Sequence, residues 1–66
     1  MDIQVNGQFH SLPDGATVIQ LLEQMELTGK RIAIERNQEI IPKSQYAQTV
    51  LQSGDRLEVV VAVGGG

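Results

Sequence analysis

Leu57-Glu58-Val59-Val60-Val61-Ala62-Val63-Gly64-Gly65-Gly66 is the stretch on which the reading of this chain turns. From Leu57 to Val63 every second residue is apolar, so one face of an extended segment can be buried along its whole length. Arg56, Glu58, Val60 and Ala62 fall on the other face. A β-branched run of this kind suits the centre of a sheet. The chain then passes into three glycines, which have no side chains to pack and lose the most conformational entropy on ordering. The sequence therefore predicts a folded unit over residues 1–63 and a flexible tail over 64–66 that carries a carboxylate away from the sheet.

The stretches before it supply the rest of a small sheet. Ile3 and Val5 alternate with Asp2 and Gln4 up to Asn6-Gly7, a strong two-residue hairpin signal, and Gln8 to Leu12 runs back as a second strand. Pro13-Asp14-Gly15 turns the chain. Thr17 with Gln20 forms a capping-box pattern, and Val18, Leu21, Leu22 and Met25 follow at helical spacing. Gly29 is the expected end of this helix, with Lys30 and Arg31 beside its negative pole. Arg31 to Glu35 reads as a third strand and Glu39 to Ile41 as a short fourth one stopped by Pro42. Ser44 is expected to cap one helical turn through Tyr46 and Ala47. Val50 and Leu51 pack inward before the Ser53-Gly54-Asp55 turn. The order is strand, strand, helix, strand, short strand, strand. With the last strand central, parallel to the first and flanked on its other side by the third, this is an α+β chain of the β-grasp, ubiquitin-like class. Its mixed sheet carries one main helix on one face.

The bulk composition narrows the function. The 66 residues are 41% apolar and 20% charged, an ordinary globular balance for a domain too small for a large internal active site. There is no cysteine, hence no disulfide, thiolate metal site or nucleophilic thiol. With a net charge of -3 and five Lys and Arg, the chain lacks the basic patch that nucleic acid requires. It shows no signal-peptide pattern and no membrane-length apolar run, and it is read as cytoplasmic, without a membrane or nucleic-acid partner and monomeric when free. His10 is the single histidine and is read as a surface residue of the hairpin, since one imidazole without Cys or a second His makes no metal site. No catalytic set is visible, and the chain is not expected to be an enzyme, to bind a cofactor or to hold a metal. The remaining reactive group is the Gly66 carboxylate, ionised at neutral pH and able to attack the α-phosphorus of ATP when a partner positions both. A narrow channel in a partner can admit Gly64 and Gly65 where any Cβ would clash. On composition alone, a frayed end remains the competing reading.

These residues, in order, resemble the ThiS family of ubiquitin-like sulfur carrier proteins of thiamine thiazole synthesis. The likeness runs through Asn6-Gly7, Thr17-Val18, Leu21-Leu22, Ile32-Ala33-Ile34, Ile40-Ile41-Pro42-Lys43-Ser44, Gly54-Asp55, Leu57-Glu58-Val59-Val60 and Ala62-Val63-Gly64-Gly65-Gly66. The resemblance implies that Gly66 is adenylated by an adenylyltransferase resembling ubiquitin-activating enzymes, which uses the ATP. It also implies conversion to a thiocarboxylate with sulfur from a donor such as a cysteine desulfurase, and delivery of that sulfur to thiazole synthase. By the same resemblance, Gly65 and Gly66 would be the working pair. Gln38 stands where many relatives have glycine, so the resemblance does not by itself imply a tight turn there. The competing readings are the related sulfur carrier of molybdopterin synthesis, whose chains are usually longer, a ubiquitin-like protein modifier, and an interaction domain with an inert end. Partner docking is expected on the face opposite the helix, at Val60, Ala62 and Ala33, with Gln4 and Arg31 as a polar rim.

Overall fold

The computed structural model of the protein describes residues 1–62. The inward placement expected of Val63 and the Gly64–Gly66 tail lie outside the described residues. The elements are β1 (Asp2–Val5), β2 (Gln8–Ser11), α1 (Val18–Gln24), β3 (Ile32–Arg36), β4 (Glu39–Ile41), a single 3₁₀ turn (Lys43–Gln45) and β5 (Arg56–Val61). The five strands form one mixed sheet in the order β2-β1-β5-β3-β4. As the alternation of β5 predicts, it lies in the middle, parallel to β1 and antiparallel to β3.

Two hairpins flank it, and each is made by a two-residue turn whose central residues both have positive φ. Asn6 (φ 51) and Gly7 (φ 81) join β1 to β2, and Asn37 (φ 50) and Gln38 (φ 73) join β3 to β4. Gln38 thus accepts a left-handed backbone, and the second hairpin is as short as the first, with Arg36 opposite Glu39. Both asparagines also brace β5. Asn6 Nδ2 donates to the Val59 carbonyl at 3.0 Å while the Val59 amide donates to Asn6 Oδ1 at 2.9 Å, which continues the β1–β5 ladder beyond the end of β1. Asn37 Oδ1 accepts from the Arg56 amide at 3.0 Å, and its Nδ2 donates to Asp55 Oδ1 at 3.2 Å.

The helix opens as its sequence requires. Gln20 Oε1 accepts from the Thr17 amide at 2.8 Å, and Thr17 Oγ1 accepts from the Gln20 amide at 3.4 Å, so both halves of the capping box are formed. Its end lies earlier than Gly29. Met25 is the C-cap, Glu26 turns left-handed (φ 60), and the Leu27 and Glu26 amides donate back to the Leu22 and Glu23 carbonyls at 2.8 and 3.1 Å. This is a Schellman ending with a glutamate in the position that glycine usually holds. The physical reason is Leu27, half-buried and packed against the core, which the early reversal folds back under α1. Gly29 (φ 83) instead serves a turn closed by the Lys30 amide on the Leu27 carbonyl at 3.1 Å. Lys30 and Arg31 are accordingly outside the last helical turn.

The core lies between α1 and one sheet face. Ile3, Val5, Leu57, Val59, Ile34 and Ile41 come from strands, Val18, Leu21 and Leu22 from the helix, and Leu12, Ala16, Tyr46 and Leu51 from the connections. Three expectations about packing are corrected. Val61 shares the inward parity of Leu57 and Val59 but is 41% exposed, because it is the last residue of β5, at an end of the sheet where its neighbour Ile32 is also only half-buried. Val50 forms an isolated bridge with Thr17, and only Leu51 turns in. Ser44 lies inside the 3₁₀ turn, which Pro42 precedes and no side chain caps.

Asp55 is the single charged residue in the buried set. Its Oδ2 accepts from Arg36 Nε and from the Gln52 amide, each at 2.8 Å, and its Oδ1 accepts from Asn37. Every buried side-chain polar atom among the described residues has a partner.

Candidate functional site

The face of the sheet away from α1 is uncovered among the described residues. The registers decide what stands on it. Ala33 lies opposite Val60, Glu35 opposite both Glu58 and Ile40, and Gln4 opposite both Phe9 and Arg56. A polar strand face would suit water, yet Val60 is 62% exposed and Phe9 and Ile40 are each 74% exposed. Ala33 and Ala62 are exposed beside Val60, and the Ala62 amide donates to the Arg31 carbonyl at 2.8 Å, tying the end of β5 to the start of β3. Val60, Ala62 and Ala33 therefore share one apolar end of the open face. Arg31 borders it. Gln4 does not, since it pairs at Arg56, four residues and roughly 13 Å from Val60 along the strand.

Phe9 and Ile40, exposed on the same open face but outside this patch, were absent from the reading of that face from sequence, although a signal for both exists. A two-residue turn at Asn6-Gly7 puts residue 9 opposite residue 4, and one at Asn37-Gln38 puts residue 40 opposite residue 35. With Ile3, Val5 and Ile34 inward, both side chains must be outward.

At the same end of the sheet, the loop between α1 and β3 borders a cleft of about 450 Å³. Its walls include Leu22, Leu27, Ile32 and Tyr46, and its mouth includes Ala33, Val60 and Ala62. Tyr46 is buried to 5% exposure, and burial pushes its hydroxyl above the usual tyrosine value. Lys30, Arg31 and Lys43 stand around this cleft. Ala62, the last described residue, lines the cleft, and Val63, Gly64, Gly65 and Gly66 follow it in sequence.

The geometry gives three neighbouring features: a central strand paired on both sides, an apolar patch on its open side and an amphipathic cleft at its end. The described residues contain no cluster of three His, Cys, Asp or Glu that could hold a metal, and no described helix is long and apolar enough to cross a membrane.

Known proteins resemble this chain in sequence and in fold. Sulfur carrier protein ThiS of Escherichia coli is 36% identical over 66 residues, covering 100% of both chains. Thiazole synthase of Paramagnetospirillum magneticum is 41% identical over the 66 residues, which make up 100% of this chain and 20% of that protein. The thiazole synthase of Magnetococcus marinus matches over the same shares at 36% identity, so the chain spans only 20% of the length of these two relatives. Among solved structures, the thiamine biosynthesis protein (ThiS) of Geobacter metallireducens superposes with a TM-score of 0.83 at 25% identity over 100% of both chains. The five-strand mixed sheet with one helix is thus the β-grasp arrangement of these structures. The model of the ThiS family matches residues 3–66, from the first core residue of β1 through the last glycine, and the chain belongs to that family.

Proposed function

We propose that this chain is a sulfur carrier for the thiazole of thiamine, working through Gly66. The observation that carries the reading is the Val63-Gly64-Gly65-Gly66 run one residue beyond the central strand, inside a family match that extends to residue 66. In this reading a Gly66 carboxylate oxygen attacks the α-phosphorus of ATP within a partner adenylyltransferase, and pyrophosphate leaves. The terminal sulfur of a persulfide, supplied through a donor such as a cysteine desulfurase, then attacks the acyl carbon and displaces AMP to form an acyl disulfide. A thiol reductant cleaves its S–S bond, leaving the thiocarboxylate and releasing the donor thiol as a disulfide. The sulfur passes to thiazole synthase. Two thiazole synthases carry a matching segment over 20% of their length, which favours thiazole over molybdopterin as the destination.

The β-grasp body contributes presentation, not chemistry. Gly64 and Gly65 have no Cβ to obstruct a narrow channel, and ordering them costs roughly 1 to 2 kcal/mol per residue. Contacts made by Val60, Ala62 and Ala33 with the partner offset that cost. The test is intact mass spectrometry after incubation with ATP, the cognate adenylyltransferase and a sulfur source, with replacement of one oxygen by sulfur expected. Removal of Gly66 should abolish the change while the circular dichroism spectrum stays the same. An unchanged mass with a demonstrably active adenylyltransferase would refute the reading.

A further inference from the structure

The cleft beside the α1–β3 loop has a charge pattern opposite to that of the rest of the molecule. The chain carries eight acidic and five basic residues. Three of the five, Lys30, Arg31 and Lys43, line this one cleft, and none of the eight acidic residues does. Of the other two, Arg36 is held by Asp55 at 2.8 Å, and Arg56 lies beside Glu58 and Glu35 in a separate groove. The lysines and Arg31 are exposed and form no salt bridge among the described residues. Beneath them the lining is apolar, from Leu27, Ile32 and Tyr46. A cleft of this size, greasy below and cationic above, fits a group with the reverse arrangement.

We infer that the cleft receives an acidic segment of a partner protein, one aliphatic or aromatic side chain seated on Leu27, Ile32 and Tyr46 with flanking carboxylates on Lys30, Arg31 and Lys43. The inference rests on the sulfur-carrier reading for the identity of that partner, which is the enzyme that receives the glycine run. Ala62 is part of the cleft, so a protein that binds residues 63–66 binds within four residues of it along the chain. The cleft then acts as a second anchor next to the open-face patch, reached around the end of β5. It gives the partner a cationic mark on a chain whose net charge is -3, which steers the encounter as well as holding it.

The experiment uses the full chain and its adenylyltransferase, with affinity measured by titration calorimetry and Gly66 activation by ATP–pyrophosphate exchange. Lys30→Gln with Lys43→Gln removes two positive charges from the cleft. Gln8→Glu with Gln48→Glu makes the same change in net charge at exposed sites elsewhere. The first pair should weaken binding about tenfold or more and the second less than about twofold. Wild-type affinity should fall between about 50 mM and about 500 mM NaCl, and the lysine variant should lose most of that dependence. Equal affinity of wild type and lysine variant, with exchange proceeding normally, would overturn the cleft and leave the Gly66 chemistry standing. Lysine-dependent binding without any exchange would support the cleft and refute the Gly66 chemistry. If the lysine variant instead loses only adsorption to phosphatidylglycerol vesicles, the cleft serves a lipid surface and the inference fails.

Discussion

Glu26 and Gln38 hold left-handed backbone conformations (φ 60 and 73) that cost an ordinary L-residue about 1–2 kcal/mol relative to glycine. Neither is buried, and neither side chain makes a hydrogen bond among the described residues, so the strain is not repaid locally. Glycine also widens the unfolded ensemble, which takes back part of the gain. Glu26→Gly and Gln38→Gly should therefore each stabilise the fold by roughly 0.5–1 kcal/mol, read as a shift of the urea midpoint at unchanged slope. A second residue-scale expectation concerns Tyr46. Burial raises its folded-state pKa above 10, so between the unfolded and folded values the unfolded chain binds fewer protons than the native one. Its contribution is complete below pH 10 and is lost as pH climbs through the folded pKa. Stability should fall through that alkaline window, and Tyr46→Phe should remove this component of the fall. Absorbance titration is simple here because the chain has one tyrosine and no tryptophan.

At the scale of elements, what the sequence made legible follows from which signals are local. Strand β5 was readable because the alternation from Leu57 onward fixes which side chains share a face, and the start of α1 after its N-cap Thr17 was readable because a capping box needs only four residues. Its end was not readable at Gly29, since the reversal is enforced by the burial of Leu27, a tertiary demand that overrode the preference for glycine. Val61 illustrates the same limit: parity gives the direction of a side chain, while cover depends on how far a seven-residue helix reaches along the sheet. The patch at Val60, Ala62 and Ala33 was legible from parity, whereas Lys43 and Tyr46 came to its border through a connection whose path no periodicity reveals. Val60→Asp tests the patch as an element of the sheet. No buried contact is lost, so the expected cost in stability is under about 1 kcal/mol. Affinity for the adenylyltransferase or thiazole synthase should drop by roughly 1–3 kcal/mol. A large loss of stability would mean that Val60 faces inward, and unchanged affinity for both enzymes would remove the patch from the docking surface.

Across the whole molecule, β5 is the member on which the others converge. Asp55, at its entrance, fastens Arg36 and Asn37 of the second hairpin to the loop before β5. Asp55→Ala leaves a half-buried guanidinium and a backbone amide without their acceptor, and the expected loss is about 2–4 kcal/mol. For a domain whose total is only about 3–10 kcal/mol, that loss should lower the urea midpoint severely. In the strand order β2-β1-β5-β3-β4, the two hairpins touch one another in the sheet solely through β5. The ribosome makes that strand after all the others. Until residues 56–61 emerge, Ile3 and Val5 on one hairpin and Ile34 and Ile41 on the other have no strand to unite them. Folding of this protein is therefore an event that follows synthesis of the sheet's centre, not one that proceeds step by step as the chain grows.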